Sequence, residues 1–211
     1  MAKSYINNIE TSSTVGSTSE NVIGVNYLAD NIERFEPARN NTFVFYTSGL
    51  ADKIDVSNVN NYADADPDSV IKLSVKSSSV PHFSIQKATI NRGNSQMHFA
   101  GKPEFKDGSI VLNDYIGAGI KDVLMAWQRC AYNPETEKVG YAKDYKVTGY
   151  LLEYTPDFQL IRTWILKGCW LSEISEDNFD HDSAELRKIT ATIVYDKAYL
   201  DKSDVNEAAN G

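Results

Sequence analysis

Three carboxylates that alternate along the chain could serve a metal ion. Asp64, Asp66 and Asp68 lie in the segment ADADPDS, a spacing similar to the first ligands of a calcium-binding EF-hand loop. Such a loop also needs a glycine at its sharp turn and a bidentate glutamate at its end. Here Ser69 and Val75 occupy those two positions. The segment is therefore predicted to be a solvated acidic loop.

The other reactive side chains do not have the spacing of an active site. None of His82, His98 and His181 has a second His or Cys two to five positions away, as a zinc-binding pair would. The chain has no GxSxG, GxxxxGK[ST] or GxGxxG motif. Glu135 and Glu137 lie in a polar connector, where general acid catalysis is not expected. The sequence predicts no enzyme, no cofactor and no metal site.

Tryptophans can form a stacking platform for a carbohydrate or a nucleic-acid base. Two of the three, Trp127 and Trp164, fall in periodic apolar patterns, which favours burial. Trp170, which follows Gly168 and Cys169, is instead a candidate for a contact between subunits.

The distribution of charge argues against binding to nucleic acid. The net charge is −8, with four Lys/Arg and ten Asp/Glu in residues 1–70 and 17 and 19 in residues 71–211. Phosphate binding requires clustered positive charge. An acidic surface would instead repel DNA, although acids that simply keep a protein soluble give the same composition. No apolar run approaches the ~20 residues that a transmembrane helix needs, so membrane insertion is not expected.

Periodicity predicts a mainly β domain over residues 41–200. Before it, residues 1–40 read as a polar arm with a weak helix pattern, and residues 201–211 as a flexible tail. A short strand over 42–46 precedes a long polar loop over 47–69. The acids of that loop are Asp52, Asp55, Asp64, Asp66 and Asp68.

The rest of the domain is predicted to contain one helix among strands. In VIKLSVK, which begins at Val70, apolar and polar residues alternate as in a strand. Further strands are predicted over 82–90, 96–99 and 109–113. An amphipathic helix over about 118–132 has its apolar face at Ile120, Val123, Leu124, Trp127 and Ala131.

The chain after the helix reads as a β-hairpin, an acidic excursion and a closing strand. DYKVTGYLLEY and QLIRTWILKGCWLSEI are the hairpin strands, and RKITATIVYD closes the domain. The strand that contains Leu160, Arg162, Trp164 and Leu166 is mostly apolar on both faces. Such a strand is expected where one face packs a core and the other meets a helix or another subunit.

These segments resemble the tail tube protein of contractile-tailed bacteriophages. The resemblance is carried by RTWILKGCW and ISEDNFDHDSAELRKITATIVYD after an amphipathic helix, and covers residues 70–199. It implies an antiparallel β-sandwich or barrel of the tail-tube type with one flanking α-helix, and here a long N-terminal elaboration. That superfamily also includes the tubes of type VI secretion and of extracellular contraction devices.

The resemblance also implies a function without catalysis. Six subunits would join into a ring, and rings would stack into a tube through which DNA passes without specific binding. The tail sheath and the baseplate would be its partners, and the virion tail, assembled in the host cytoplasm, its location. By position, the 47–69 loop would reach the next ring. Candidates for the subunit interface are Phe158, Arg162, Trp164 and Trp170.

Two alternatives stay open at this point. A tube-initiating baseplate component, or a tube protein of a related injection system, would share the fold. A baseplate component should form a single ring rather than an extended polymer. From another class, a monomeric β-barrel that binds a small ligand fits the composition, but two-sided apolar strands are unusual in a soluble monomer.

Overall fold

The fold was obtained as a computed structural model, in which residues 37–54, 66–182 and 184–201 are described. All described strands and helices belong to the compact unit Asn40–Gly211. Residues 1–36 of the predicted arm and residues 202–211 of the predicted tail lie outside the described residues. The elements are β1 (Phe43–Ser48), α1 (Pro67–Ser74), β2 (Val75–Ser78), β3 (Phe83–Arg92), β4 (Ser95–Phe105), β5 (Gly108–Asn113), α2 (Ile120–Ala131), β6 (Tyr132–Asn133), β7 (Lys138–Val139), α3 (Ala142–Tyr145), β8 (Val147–Tyr154), β9 (Leu160–Glu176), β10 (Lys188–Val194) and β11 (Lys197–Leu200).

A seven-stranded antiparallel sheet forms the body of the unit. Its order is β1-β8-β9-β10-β5-β2, and β11 also pairs with β9. The first half of β9 pairs with β8 and β11, and its second half pairs with β10. Strands β1 and β2, at opposite ends of this order, lie close to each other, so the sheet curls around its core. The predicted fold class, mainly β with few helices, is confirmed.

A glycine allows β9 to pair with β8 and β11 in its first half and with β10 in its second half. Gly168 has φ 71°, and a Cβ at this position would lie 2.2 Å from a carboxylate oxygen of Asp196. Nearby, the register between β8 and β9 shifts. On the far side of this irregularity, Cys169 and Leu171 are buried in the core. Only glycine combines this backbone conformation with so close an approach.

Helix α2 closes one side of the core and agrees with its predicted position. Ile120, Val123, Leu124 and Trp127 are buried against the inner side chains of the sheet. The indole N–H of Trp127 donates to the carbonyl oxygen of Tyr145 at 2.8 Å, so its polar atom is satisfied as well.

The strand predicted at Val70 is wrong, because the segment is helix α1. Asp66 caps the helix by accepting from the amide of Ser69 at 3.1 Å, and Pro67 occupies its first turn. This capping outweighs the alternation of apolar residues. Val70 and Ile71 are both buried, whereas Leu73 is 78% exposed. The sequence signal for this helix is the N-capping Asp66 followed by Pro67.

Helix α1 is joined to β1 by a carboxylate. Asp68 accepts a hydrogen bond from the hydroxyl of Thr47 at 2.5 Å and from the amide of Leu50 at 3.1 Å. Thr47 and Leu50 are both buried, so neither donor has ready access to water. Asp68 therefore satisfies two buried donors at the end of β1.

We expect Asp68→Ala to lower the free energy of unfolding by about 1–3 kcal/mol, because it leaves two buried donors without an acceptor. Urea denaturation followed by circular dichroism measures the change. Asp52→Ala is the matched control, since Asp52 lies exposed in the turn after Leu50 and its loss should cost less than about 0.5 kcal/mol. Equal effects of the two substitutions would contradict the role given to Asp68.

Because of a buried thiol, the stability of the fold is expected to fall with rising pH in the alkaline range. Burial raises the pKa of Cys169 to about 12, because the thiolate would lose its hydration. Below a pH of about 9 the thiol is neutral in both the folded and the unfolded chain, so its contribution to the free energy of unfolding is fully present there. Above about 9 the unfolded chain ionises first, and stability falls until the pH reaches the folded pKa. Between these limits the loss approaches 1.4 kcal/mol per pH unit.

Cys169→Ala should therefore reduce the slope of unfolding free energy against pH between pH 9 and pH 11. Denaturant titrations of both proteins at several pH values measure the two slopes, and groups common to both cancel in the difference. Identical slopes would show that Cys169 is not protected from ionisation in the folded chain.

Candidate assembly surface

The most unusual feature of the described structure is the hairpin of β3 and β4. These two strands pair with each other and form a separate two-stranded sheet. Every residue of β3 is exposed, and most of β4 is exposed as well. With a rise of ~3.3 Å per residue, β3 extends about 30 Å. Two-stranded hairpins are marginally stable in water, so a third layer or strand is expected to support this one.

The base of the hairpin is fixed to the body. The rings of Phe83 and Phe105 lie 5.5 Å apart, and the ring of Phe105 meets the buried ring of Tyr195 edge-on at 6.2 Å. The amide of Lys106 donates to the carbonyl oxygen of His82 at 3.2 Å. The hairpin thus leaves the body at a packed aromatic cluster, and its turn at Gly93 lies at the far end.

A β-bulge changes the face on which the apolar side chains lie. The register shifts between Ile85 and Lys87, where Gly101 approaches so closely that a Cβ would lie 2.8 Å from the carbonyl oxygen of Gln86. Beyond the bulge, Ile90 pairs with Met97. Directly opposite residues share a face, and alternate residues of one strand do too, so the outer part of the hairpin has one apolar face.

We call this face the distal apolar face; it consists of Ala88, Ile90, Met97 and Phe99. Ala88 pairs with Phe99 across the hairpin. Ile90, Met97 and Phe99 remain 57%, 53% and 48% exposed. Large apolar side chains grouped on a projecting element are typical of a surface that another protein covers.

The hairpin is also basic in an acidic chain. It contains Lys87, Arg92 and Lys102 against Glu104. Glu104 pairs with Lys106 just beyond the hairpin at 2.9 Å, and this neighbour lowers the pKa of the carboxyl group. Among the described residues, the three cations of the hairpin form no ion pair.

A second apolar surface lies on the outer face of the sheet, opposite the core. The rings of Tyr46 and Tyr150 stack at 4.9 Å, and the ammonium group of Lys72 lies 5.7 Å from the centre of the Tyr46 ring. Ile165, which pairs with Tyr150, is half-buried on the same face, whereas Leu166 is buried in the core. Strand β9 is therefore apolar on both faces at this point.

The interface candidates from the sequence occupy different environments. Phe158 is 78% exposed in the β8–β9 turn and has φ 63°, a conformation that costs a phenylalanine energy. Glu153 accepts from the indole of Trp164 at 2.9 Å and from Arg162 at 3.3 Å. Trp170 meets the ring of Tyr145 edge-on at 5.8 Å. Their role between subunits stays a prediction, and Phe158 is the most accessible of them.

The predicted inter-ring loop is shorter than the sequence suggested. Thr47 belongs to β1, and the last three residues of the 47–69 segment belong to α1. Asp66 and Asp68 bond within the chain, as described above, and Asp52 is exposed. Asp55 and Asp64 lie outside the described residues, and the docking of this loop stays a prediction.

Sequence reasoning identified the two strands of the hairpin but not their exposure. The sequence predicts strands over 82–90 and 96–99 with a turn between them; β3 ends two residues later than predicted, and β4 extends further in both directions. The sequence does contain one signal: Phe83 and Ile85 lie at odd-numbered positions, whereas Ile90 lies at an even-numbered one. In a strand this shift indicates that the apolar side chains change from one face to the other.

Within residues 37–54, 66–182 and 184–201, no group of three His, Cys, Asp or Glu side chains is arranged to hold a metal ion. No helix in those ranges has the length and apolarity to cross a bilayer.

Comparison of the sequence with protein-family models and with curated proteins finds no match. Solved structures do match. A chain of the PVC sheath–tube complex, an extracellular contractile injection system in the extended state, aligns with TM-score 0.56 and 12% identity over 82% of this chain and 96% of that one. A chain of the anti-feeding prophage baseplate aligns with TM-score 0.55 and 11% identity over 78% and 95%.

A chain from the tube-terminating cap of the anti-feeding prophage aligns with TM-score 0.56 and 11% identity, over 78% of this chain and 91% of that one. At these identities the likeness concerns the fold. It spans nearly the whole length of each matched chain, so the common architecture is complete and not a shared motif. The chain therefore shares its fold with chains of these contractile assemblies.

Proposed function

We propose that this protein is a structural subunit that assembles through its β3–β4 hairpin into the inner tube of a contractile tail or injection system. The observation that carries the proposal is the hairpin itself, which is fixed at its base and uncovered along its length. Covering three half-exposed apolar side chains would stabilise an assembly by roughly 1 kcal/mol each. The tail-tube fold supports the same role.

The finer features of the assembly follow from this role. Six subunits would form a ring, rings would stack into a tube, and DNA or another cargo would pass through it. A wall that does not retain phosphate must be neutral or negative, which the net charge of −8 permits. Sheath and baseplate proteins would contact the outside and the end of the tube. Among the matched structures are a sheath–tube complex, a baseplate and a cap.

A tube-initiating or terminating component is the second candidate, because chains of baseplate and cap structures share the fold. It would form one ring and stop. A monomeric ligand-binding barrel is disfavoured, since it would leave the distal apolar face in water. Negative-stain microscopy of the purified protein separates these three possibilities as tubes, single rings or isolated particles.

We expect the triple substitution Ile90→Ser, Met97→Ser and Phe99→Ser to abolish assembly, because it removes the apolar contacts of the distal face. Sedimentation velocity over a concentration series measures the loss, and circular dichroism checks that the subunit stays folded.

The matched control changes the opposite face of the same hairpin, with Thr89→Ala, Asn91→Ala and His98→Ala. This variant should assemble within about threefold of the unmodified protein. Assembly that survives the serine substitutions, or that fails equally in both variants, would refute the role of the distal apolar face.

A further inference from the structure

The end of β9 and its connection to β10 have the opposite charge to the hairpin. We call residues 173–182 and 184–186 the acidic segment. Residues 173–186 contain six Asp or Glu and no Lys or Arg. Two large apolar side chains, Phe179 and Leu186, are 85% and 78% exposed within it. A surface that combines exposed apolar side chains with charge of one sign suits a partner that combines apolar side chains with the other sign.

The acidic segment is held in place from one end. Arg187 binds Glu176 and Asp114, and its guanidinium lies 4.5 Å from the centre of the Phe179 ring. Lys121 from helix α2 binds Glu176 at 2.8 Å. These cations lower the pKa of Glu176, Lys121 contributing most. The segment is thus fixed to α2 and to the start of β10 through Glu176.

Four further acids of the segment remain available to a partner. Glu173, Asp177, Asp180 and Asp182 are exposed, and none forms an ion pair among the described residues. The cations of the β3–β4 hairpin are likewise exposed and unpaired there. Each copy of the chain therefore carries a basic apolar projection and an acidic apolar surface that it does not neutralise itself.

We propose that the β3–β4 hairpin of one copy docks on the acidic segment of a second copy. Arg92 and Lys102, on the same side of the hairpin as the distal apolar face, would meet its free carboxylates, and that face would cover Phe179 and Leu186. This inference rests on the proposed function, because it names the surface that receives the hairpin. The two surfaces differ, so the contact is heterologous and closes into a ring or continues as a filament.

The docking also removes a conflict within the proposed function. A tube that lets DNA pass should not expose clustered cations, since these would retain phosphate. Cations of the hairpin that are paired with carboxylates of a neighbour are no longer free to do so. The acidic segment supplies four unpaired carboxylates for these two cations, which leaves the joined surfaces negative.

Charge reversal with exchange tests the contact in the full-length protein. One variant carries Arg92→Glu and Lys102→Glu, and the other carries Asp177→Lys, Asp180→Lys and Asp182→Lys. We expect each alone to require at least tenfold higher concentration to assemble, because like charges then meet. An equimolar mixture should restore assembly, since each reversed surface finds its complement on the other variant. Sedimentation velocity in 50 mM NaCl measures all three samples, and 500 mM NaCl should weaken assembly of the unmodified protein.

Glu135→Lys, Glu137→Lys and Asp144→Lys form the control, with the same change of net charge on exposed acids elsewhere. This variant should assemble within about threefold of the unmodified protein and should not rescue the hairpin variant. If the unmodified protein assembles but the reversals behave like this control, the docking is refuted and the proposed function stands. If the unmodified protein stays monomeric at every concentration, the proposed function itself fails.

Discussion

The structure depends on the continuity of β9. This strand pairs along its length with β8, β11 and β10, and its inner side chains contribute to one core with helix α2. The irregularity at Gly168 lets a single strand serve two differently oriented parts of the sheet. A residue with a side chain there would meet Asp196, which also binds Lys146 at 2.7 Å. The packing of the body therefore follows from a backbone conformation that one glycine permits.

Several donors in the body have acceptors within the chain, whereas the hairpin leaves large apolar side chains exposed. Asp68 serves two buried donors, and Glu153 and Tyr145 serve two indole N–H groups. By contrast, the distal apolar face lies in water on an element that only its base supports. This division is expected of a subunit whose body folds first and whose projecting element is completed by another molecule. In the proposed assembly, the hairpin would be stabilised by a neighbouring molecule more than by its own subunit.

The charged residues are distributed unevenly over the surface, which the net charge of the chain does not reveal. The chain is acidic as a whole, yet its most exposed element is basic, and the densest group of acids lies on a different connection. Opposite charges on separate surfaces of identical copies favour head-to-tail contacts, because two like surfaces repel each other. Selection for such polarity would account for a basic hairpin in an acidic protein.

The sequence by itself determined those elements whose local chemistry agrees with their environment. Helix α2 follows from apolar residues at helical spacing, and β8 to β10 follow from alternation bounded by turn residues. It also determined the absence of familiar catalytic motifs. From Val70, the alternation of apolar and polar residues wrongly indicates a strand, because capping by Asp66 and the proline after it favour a helix. Contact with β1 then decides which side of this helix is buried. Local capping and long-range packing together decided that segment.

Only the tertiary structure decided which apolar residues are covered. Phe45 and Phe99 are alike in sequence, each in a β-prone run, yet one is buried and the other is half exposed. The difference arises because β1 joins the curled sheet over the core, whereas β3 and β4 pair with each other and leave the body. Burial is a property of the elements that pack on a strand, and no local pattern records them. For that reason the sequence predicted both strands of the hairpin, but their availability to a partner appeared only in the fold.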